Sequence, residues 1–278
     1  MEPPIPCQDA GRSGILSNGW HVLIVSDGAG SSSHSHIASD FCVSRLHTLL
    51  EEADLTTVST AVEADMLPSE DWHRWIVALF GQTREGLLRM GEAHGYRPEQ
   101  LHCTLLLVIR TPRAFLCAHV GDGRAGYFDG SPKPLMVPFM TFTAGATYFL
   151  VKEGWDLVFR ASVNKPERPA ELAYYFVSTD GCQNYIIDHT RKGPKTGMYD
   201  DILGDEAFYD FNMPYHPFFQ GLILSLTEVD TQEQINERLQ RLVATGVYVC
   251  NGEEKELKSI SDLALDDDKT LLFAFKHS

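Results

Sequence analysis

No two of the six cysteines stand close enough to form a CxxC pair. Cys7, Cys42, Cys103, Cys117, Cys182 and Cys250 are scattered along 278 residues. That excludes the dense disulfide framework of a small secreted domain and a zinc knuckle, and makes a reduced, intracellular protein the expectation. Long apolar runs are missing too: nothing approaches the roughly 18 residues needed to span a bilayer, and the N-terminus has no basic stretch leading into an apolar one. The chain therefore reads as soluble and cytoplasmic, with no membrane partner. Positive charge is scarce, with Lys and Arg numbering 23 against 38 Asp and Glu, for a formal charge of −15. So acidic a chain repels phosphate backbones, which excludes nucleic acid as a partner. Neither a Cys-x5-Arg phosphatase loop nor a Gly-Lys-Ser/Thr nucleotide cradle occurs. No repeat, low-complexity tract or long linker divides the chain, so residues 1–278 read as a single domain.

What is present is a set of apolar strands and two long amphipathic helices. His21 to Ser26 is a buried-strand pattern that stops at Asp27-Gly28. From Ser33 to about Glu52, Ile37, Phe41, Leu46, Leu49 and Leu50 recur at helical spacing behind serine N-cap candidates, and Glu70 to His94 repeats the pattern with Gly95 as a stop. Cys103–Ile109, Ala114–Val120 and Arg124–Phe128 read as an antiparallel meander, with further strands at Asp156–Ala161, Ala173–Ser178 and Leu271–Phe275. Hairpins without βαβ alternation indicate an α+β fold built on antiparallel sheets.

Four aspartates share one setting. Asp27, Asp122 and Asp180 each follow an apolar strand pattern and Asp267 lies in the acidic turn before the last one; the first three have Gly immediately after them. Asp-Gly is a common turn dipeptide, but glycine also relieves backbone crowding, and rigid strand ends on one sheet edge can bring carboxylates to a single cation. Carboxylates alone suit Mg²⁺ or Mn²⁺, whereas zinc would call for Cys or His.

Cys7-Gln8-Asp9-Ala10 resembles the N-terminal Asn-Glu/Gln-Asp-Ala element of the metal-dependent protein phosphatases, the protein phosphatase 2C family. Val25-Ser26-Asp27-Gly28-Ala29-Gly30 is similar to Val-x-Asp-Gly-x-Gly, Val120-Gly121-Asp122-Gly123-Arg124-Ala125 to Val-Gly-Asp-Ser-Arg-Ala, and Ser178-Thr179-Asp180-Gly181 to the Ser-Asp-Gly element. Asp267-Asp268-Lys269-Thr270 resembles the closing Asp-Asn-x-Thr, so the elements run in family order over essentially the whole chain. The wording looks like a bacterial branch. The resemblance implies a four-layer α-β-β-α sandwich, two antiparallel sheets flanked by helices, with a two-metal site at one edge. Asp27 would bridge both ions, the Gly28 carbonyl would ligate one, Asp180 and Asp267 would hold the other, and Asp9 would act mainly through water. Asp122, with Asp180, matches the place where some bacterial members hold a third, weaker metal. The implied activity is hydrolysis of phosphoserine and phosphothreonine in proteins, by a water or hydroxide bridging two Mg²⁺ or Mn²⁺ ions. The implied partner is a phosphoprotein made by a Ser/Thr kinase, and a monomer is expected.

Several features depart from the family. Pro3, Pro4, Ile5 and Pro6 stand where many members carry a phosphate-gripping Arg, so the residue that would hold the substrate phosphate is unassigned; Arg12 and Arg124 are candidates, Arg124 fitting better as a brace of its turn. Ala29 replaces a His found in some members, with His34 or His36 as substitutes or else as helix-start residues. Ser31 to Ser33 could bind an anion or cap the loop, and His102 and His119 beside Cys103 and Cys117 read as strand alternation rather than a soft metal site. Seven aromatics fall between Tyr199 and Phe219, in a chain with only 15 Phe, 10 Tyr and 4 Trp. They mark an aromatic-rich insertion around residues 190–230, read as packing onto the core rather than as a recognition surface. Competing readings are a catalytically impaired binding module and a phosphatase of small phosphorylated metabolites.

Overall fold

The protein is described by a computed structural model covering residues 6–64, 70–136, 138, 147–188, 213–229, 231–245, 247–250, 252–256 and 268–276. In chain order the elements are β1 (Ala10–Ile15), β2 (His21–Ser26), α1 (Ser35–Glu52), α2 (Thr56–Glu63), α3 (Glu70–His94), β3 (Leu105–Arg110), β4 (Phe115–Val120), β5 (Arg124–Phe128) and β6 (Pro132–Pro134). They continue as α4 (Trp155–Val158), β7 (Arg160–Asn164), β8 (Tyr174–Ser178), α5 (Gln183–Ile186), α6 (His216–Leu226), α7 (Gln232–Thr245), β9 (Val247–Cys250), β10 (Glu253–Glu256) and β11 (Leu271–Phe275).

Two antiparallel sheets stack face to face. One has the order β1-β2-β3-β4-β7 and the other β11-β8-β5-β6, while β9 and β10 pair as a separate hairpin. The inner strands β2, β3, β4 and β8 are apolar on both faces because each sheet is covered on both sides there. Val22 and Ile24 of β2, Leu105, Leu107 and Ile109 of β3, and Leu116 and Ala118 of β4 point to α1 and α3. Their neighbours Leu23, Val25, Leu106, Val108, Phe115 and Cys117 meet Ala125, Tyr127, Tyr175 and Val177 of the second sheet. On that sheet's far face Tyr174 and Phe176 pack with Phe218, Phe219, Leu222 and Leu226 of α6 and Leu242 of α7. Period-two alternation thus sorts the side chains into three apolar layers between four structural ones, as the α-β-β-α expectation requires.

Three local expectations change. The strands from Cys103 to Phe128 do not form a single meander: β3 and β4 pair, but β5 joins the other sheet, where Arg124 lies opposite Ser178. The crossing is made at Gly121, whose φ of +121° is open to glycine. Within Asp156–Ala161, left-handed Gly154 starts the short helix α4, and the strand is displaced to Arg160–Asn164. No serine side chain caps α1, whose N-cap is His34; Ser32 is buried and donates to the Glu99 carbonyl, which pins the loop, while Ser31 and Ser33 are exposed. The expectation that the aromatic segment packs onto the core holds for Phe218 and Phe219, which are fully buried on α6; Tyr199 to Phe211 lie outside the described residues. Among the described residues no helix is long and apolar enough to cross a membrane.

Candidate metal centre

Asp27 follows β2, Asp122 sits in the turn between β4 and β5, and Asp180 comes two residues after β8. Because the two sheets stack with these ends on one edge, one carboxylate oxygen from each of the three lies within 4.8 Å of the others. Asp9, just before β1, joins them: Thr179 Oγ1 donates to Asp9 Oδ2 at 2.7 Å, and the Asp9 and Asp27 carboxyls are in direct contact. Asp267 lies outside the described residues, but its neighbour Asp268 accepts the Gln8 N–H at 2.5 Å, tying the last motif to the first.

Burial pushes the Asp27 carboxyl well above the usual carboxylate range, and the charges of Asp9 and Asp180 push it further. Burial likewise raises Asp9, against the lowering effect of its Thr179 hydrogen bond, and raises Asp180, which also faces Asp122. Like charges held this close in a half-buried site ionise only at a cost, which a divalent cation would remove. The donors are all oxygens, so the residues present fit a hard cation such as Mg²⁺ or Mn²⁺. Among the described residues no Cys- or His-containing group meets the same geometry. Cys103 instead lies 3.7 Å from Cys42, sulfur to sulfur, and His102 stacks on Phe149.

The surrounding main chain is held tightly. Thr104 accepts the Asp27 N–H on its hydroxyl at 2.9 Å and donates its own N–H to the Asp27 carbonyl at 2.8 Å. The three glycines that follow the aspartates each lie against another motif: a Cβ on Gly28 would come 2.5 Å from the Gln8 carbonyl oxygen, one on Gly123 would strike the Ser178 carbonyl, and one on Gly181 the Asp268 carbonyl. None of these three has a positive φ, so close approach rather than turn conformation demands glycine here.

Arg124 is buried beneath the Gly-Asp-Gly turn and donates to the main-chain carbonyls of Asp122 and Gly123 and to Gln183, the bracing role expected of it. Arg12 is exposed on β1. His34 stacks on Tyr96 with ring centroids 4.0 Å apart, which accounts for it structurally. The structure thus brings together Asp9, Asp27, Gly28, Asp122 and Asp180. It adds Thr104, Thr179 and Asp268, which sequence reasoning missed; only the adjacency of Thr179 to Asp180 and of Asp268 to Asp267 was a signal.

The sequence pattern of the protein phosphatase 2C family matches residues 4–240. No curated protein sequence matches the chain. Among solved structures, the serine/threonine phosphatase Stp1 from Staphylococcus aureus superposes with a TM-score of 0.58 at 14% identity, over 98% of this chain and 90% of that one. A bacterial serine phosphatase gives 0.55 at 13%, over 86% and 85%, and a C. elegans sex determining protein 0.55 at 11%, over 97% and 61%. At these identities the superpositions speak for the fold alone, while the family pattern spans most of the length and both sheets. By that pattern, and with the aspartates of its motifs gathered at one sheet edge, this chain belongs to the protein phosphatase 2C family.

Proposed function

We propose that the protein is a Mg²⁺- or Mn²⁺-dependent phosphatase that hydrolyses phosphoserine and phosphothreonine in proteins, opposing a serine/threonine kinase. The observation that carries the proposal is the convergence of Asp27, Asp122 and Asp180 within 4.8 Å, with Asp9 alongside, on rigid strand ends. Asp27 and Asp180, together with Asp9 and the Gly28 carbonyl, are the groups that would hold two ions; Asp122 would contribute to a third, weaker site, and Asp267 enters by resemblance alone. Bound ions supply a lowered water pKa and neutralise charge on the phosphoryl group.

The chain's own residues provide pre-organisation. Thr104 fixes the Asp27 backbone from both sides, Thr179 fixes the rotamer of Asp9, and buried Arg124 holds the turn that carries Asp122. The protein substrate is inferred from the family, because no side chain here identifies the group beyond the phosphate.

The test is phosphate release from a phosphothreonine peptide with Mn²⁺ or with EDTA, beside Asp27→Asn. Metal-dependent release that the variant loses is the expected result. Release unaffected by EDTA or by the substitution would overturn the metal assignment. Absence of release despite calorimetric metal binding would favour a binding module or a small-metabolite substrate.

A further inference from the structure

A cavity of about 480 Å³ lies at the edge of the sandwich opposite the aspartates. The same four strands frame both places. β2 runs from His21 at the cavity to Asp27, and β3 from Arg110 at the cavity back to Thr104, which clamps Asp27. β8 runs from Tyr174 to Asp180, and β11 from Phe275 back towards Asp268. Strands of this length separate the two edges by roughly 20 Å.

The lining is apolar apart from a few convergent polar groups. Leu172, Phe275, Pro112 and Pro169 supply walls, and His21 Nδ1 lies 3.0 Å from the Tyr175 hydroxyl. Two cations, Arg110 and Lys276, line the space, and among the described residues no carboxylate does. Arg110 is held in place: its guanidinium donates to the main-chain carbonyls of Thr111 and Ala114 and lies 4.9 Å from the centre of the Phe115 ring. Among the described residues no carboxylate pairs with either cation, although the chain carries 38 acidic residues; nearby Glu171 pairs with Arg168 instead. A half-buried guanidinium compensated by carbonyls and a ring face, with no described carboxylate beside it, leaves a positive potential inside an otherwise apolar space.

From this geometry we infer that the cavity is a binding site for a small organic anion, a flat apolar body bearing one carboxylate or similar group, with the anion at Arg110 and Lys276 and the body against Leu172 and Phe275. The volume is that of a small-molecule site, and a few polar groups in an apolar lining are what fix a ligand's orientation there. The inference is independent of the proposed phosphatase activity.

Calorimetric titration of the full chain with naphthalene-2-carboxylate, and with its neutral amide, tests it. The carboxylate is expected to bind saturably at one site, the amide far more weakly, and Arg110→Met to weaken the carboxylate by about tenfold or more. Should Arg110→Met fail to fold, Ala170→Trp fills the cavity from an exposed position and is expected to abolish binding. Asp27→Asn should leave the titration unchanged. No saturable binding at millimolar ligand would overturn the inference, as would equal binding of acid and amide, binding that survives in both cavity variants, or binding lost in Asp27→Asn.

Discussion

Thr179 Oγ1 donates to Asp9 Oδ2 at 2.7 Å across 170 residues of sequence, and the same hydroxyl accepts the Thr270 N–H at 3.0 Å. One buried side chain therefore joins the first acidic motif, the strand end that carries Asp180, and the start of the last strand. Two residues on, Gly181 fills a similar place in the backbone, since a Cβ there would strike the Asp268 carbonyl.

Thr179→Val removes the hydroxyl while keeping the shape of the side chain, leaving Asp9 without its donor and the Thr270 N–H without its acceptor. We expect a loss of about 1–3 kcal/mol of stability and a higher Mn²⁺ concentration for half-maximal activity, both recovered in Thr179→Ser. Thermal melts and metal titrations of the two variants check this; a Val variant with unaltered metal dependence would remove Thr179 from the site.

The carboxyls of Asp9, Asp27 and Asp180 are all raised in the native state. A raised native pKa adds stability that is complete below the ordinary carboxylate value of about 4 and is lost as the pH climbs through the raised one. In EDTA, Asp27→Asn should therefore melt higher than the parent at pH 8, by about 2 °C or more, with the difference closing towards pH 5. In Mn²⁺ the parent should gain more than the variant, because the cation offsets the repulsion that the substitution has already removed. Melting curves across pH with and without metal show whether the order is as stated.

Gly181→Ala places a methyl group against a main-chain oxygen that has little room to retreat. The expected cost is about 1–3 kcal/mol, with weaker metal binding as Asp268 and Gln8 shift together. Calorimetry with Mn²⁺ reads both effects. Gly19→Ala is the contrast, since a Cβ there meets nothing within 4 Å and only the backbone φ of +83° is strained.

Phe219 is fully buried and stacks on Tyr174 and Phe176 with centroids 4.6 and 4.4 Å apart. Phe219→Ala should cost about 3–5 kcal/mol in chemical denaturation. Activity per folded molecule should be retained, because the residue covers the outer face of the second sheet rather than its aspartate-bearing edge.

A hydrogen bond with Cys103, and then burial, raises the Cys42 thiol, and burial pushes Cys117 up to about 12; Cys7 is also raised by its surroundings but is exposed. With Cys250 replaced by Ser, a thiol reagent should label Cys7 in the native protein and reach Cys42, Cys103, Cys117 and Cys182 only on unfolding. Peptide mapping after brief labelling distinguishes the two sets.

The strands and long helices were legible because their signals are local. His21–Ser26, Glu70–His94, Arg124–Phe128 and Leu271–Phe275 end where their apolar patterns end. β1 gave no such signal: its Ala-Gly-Arg-Ser-Gly-Ile sequence is largely exposed and is held by pairing with β2. Helix α7 is amphipathic but was missed beside the aromatic segment, and the destination of β5 depends on how Gly121 turns the chain between sheets.

The residue types and order of the motifs determined the family, the all-oxygen donor set and the alternation that builds four layers, since each depends on neighbours a few residues apart. Only the tertiary structure decided that Asp9, Asp27, Asp122 and Asp180 share one edge, that Thr104 and Thr179 hold them, and that the glycines answer to close backbone approach. It also decided that Arg110 and Lys276 face a cavity whose described lining holds no carboxylate. Those relationships join residues far apart in the chain, and the stacking of two sheets alone sets their distances.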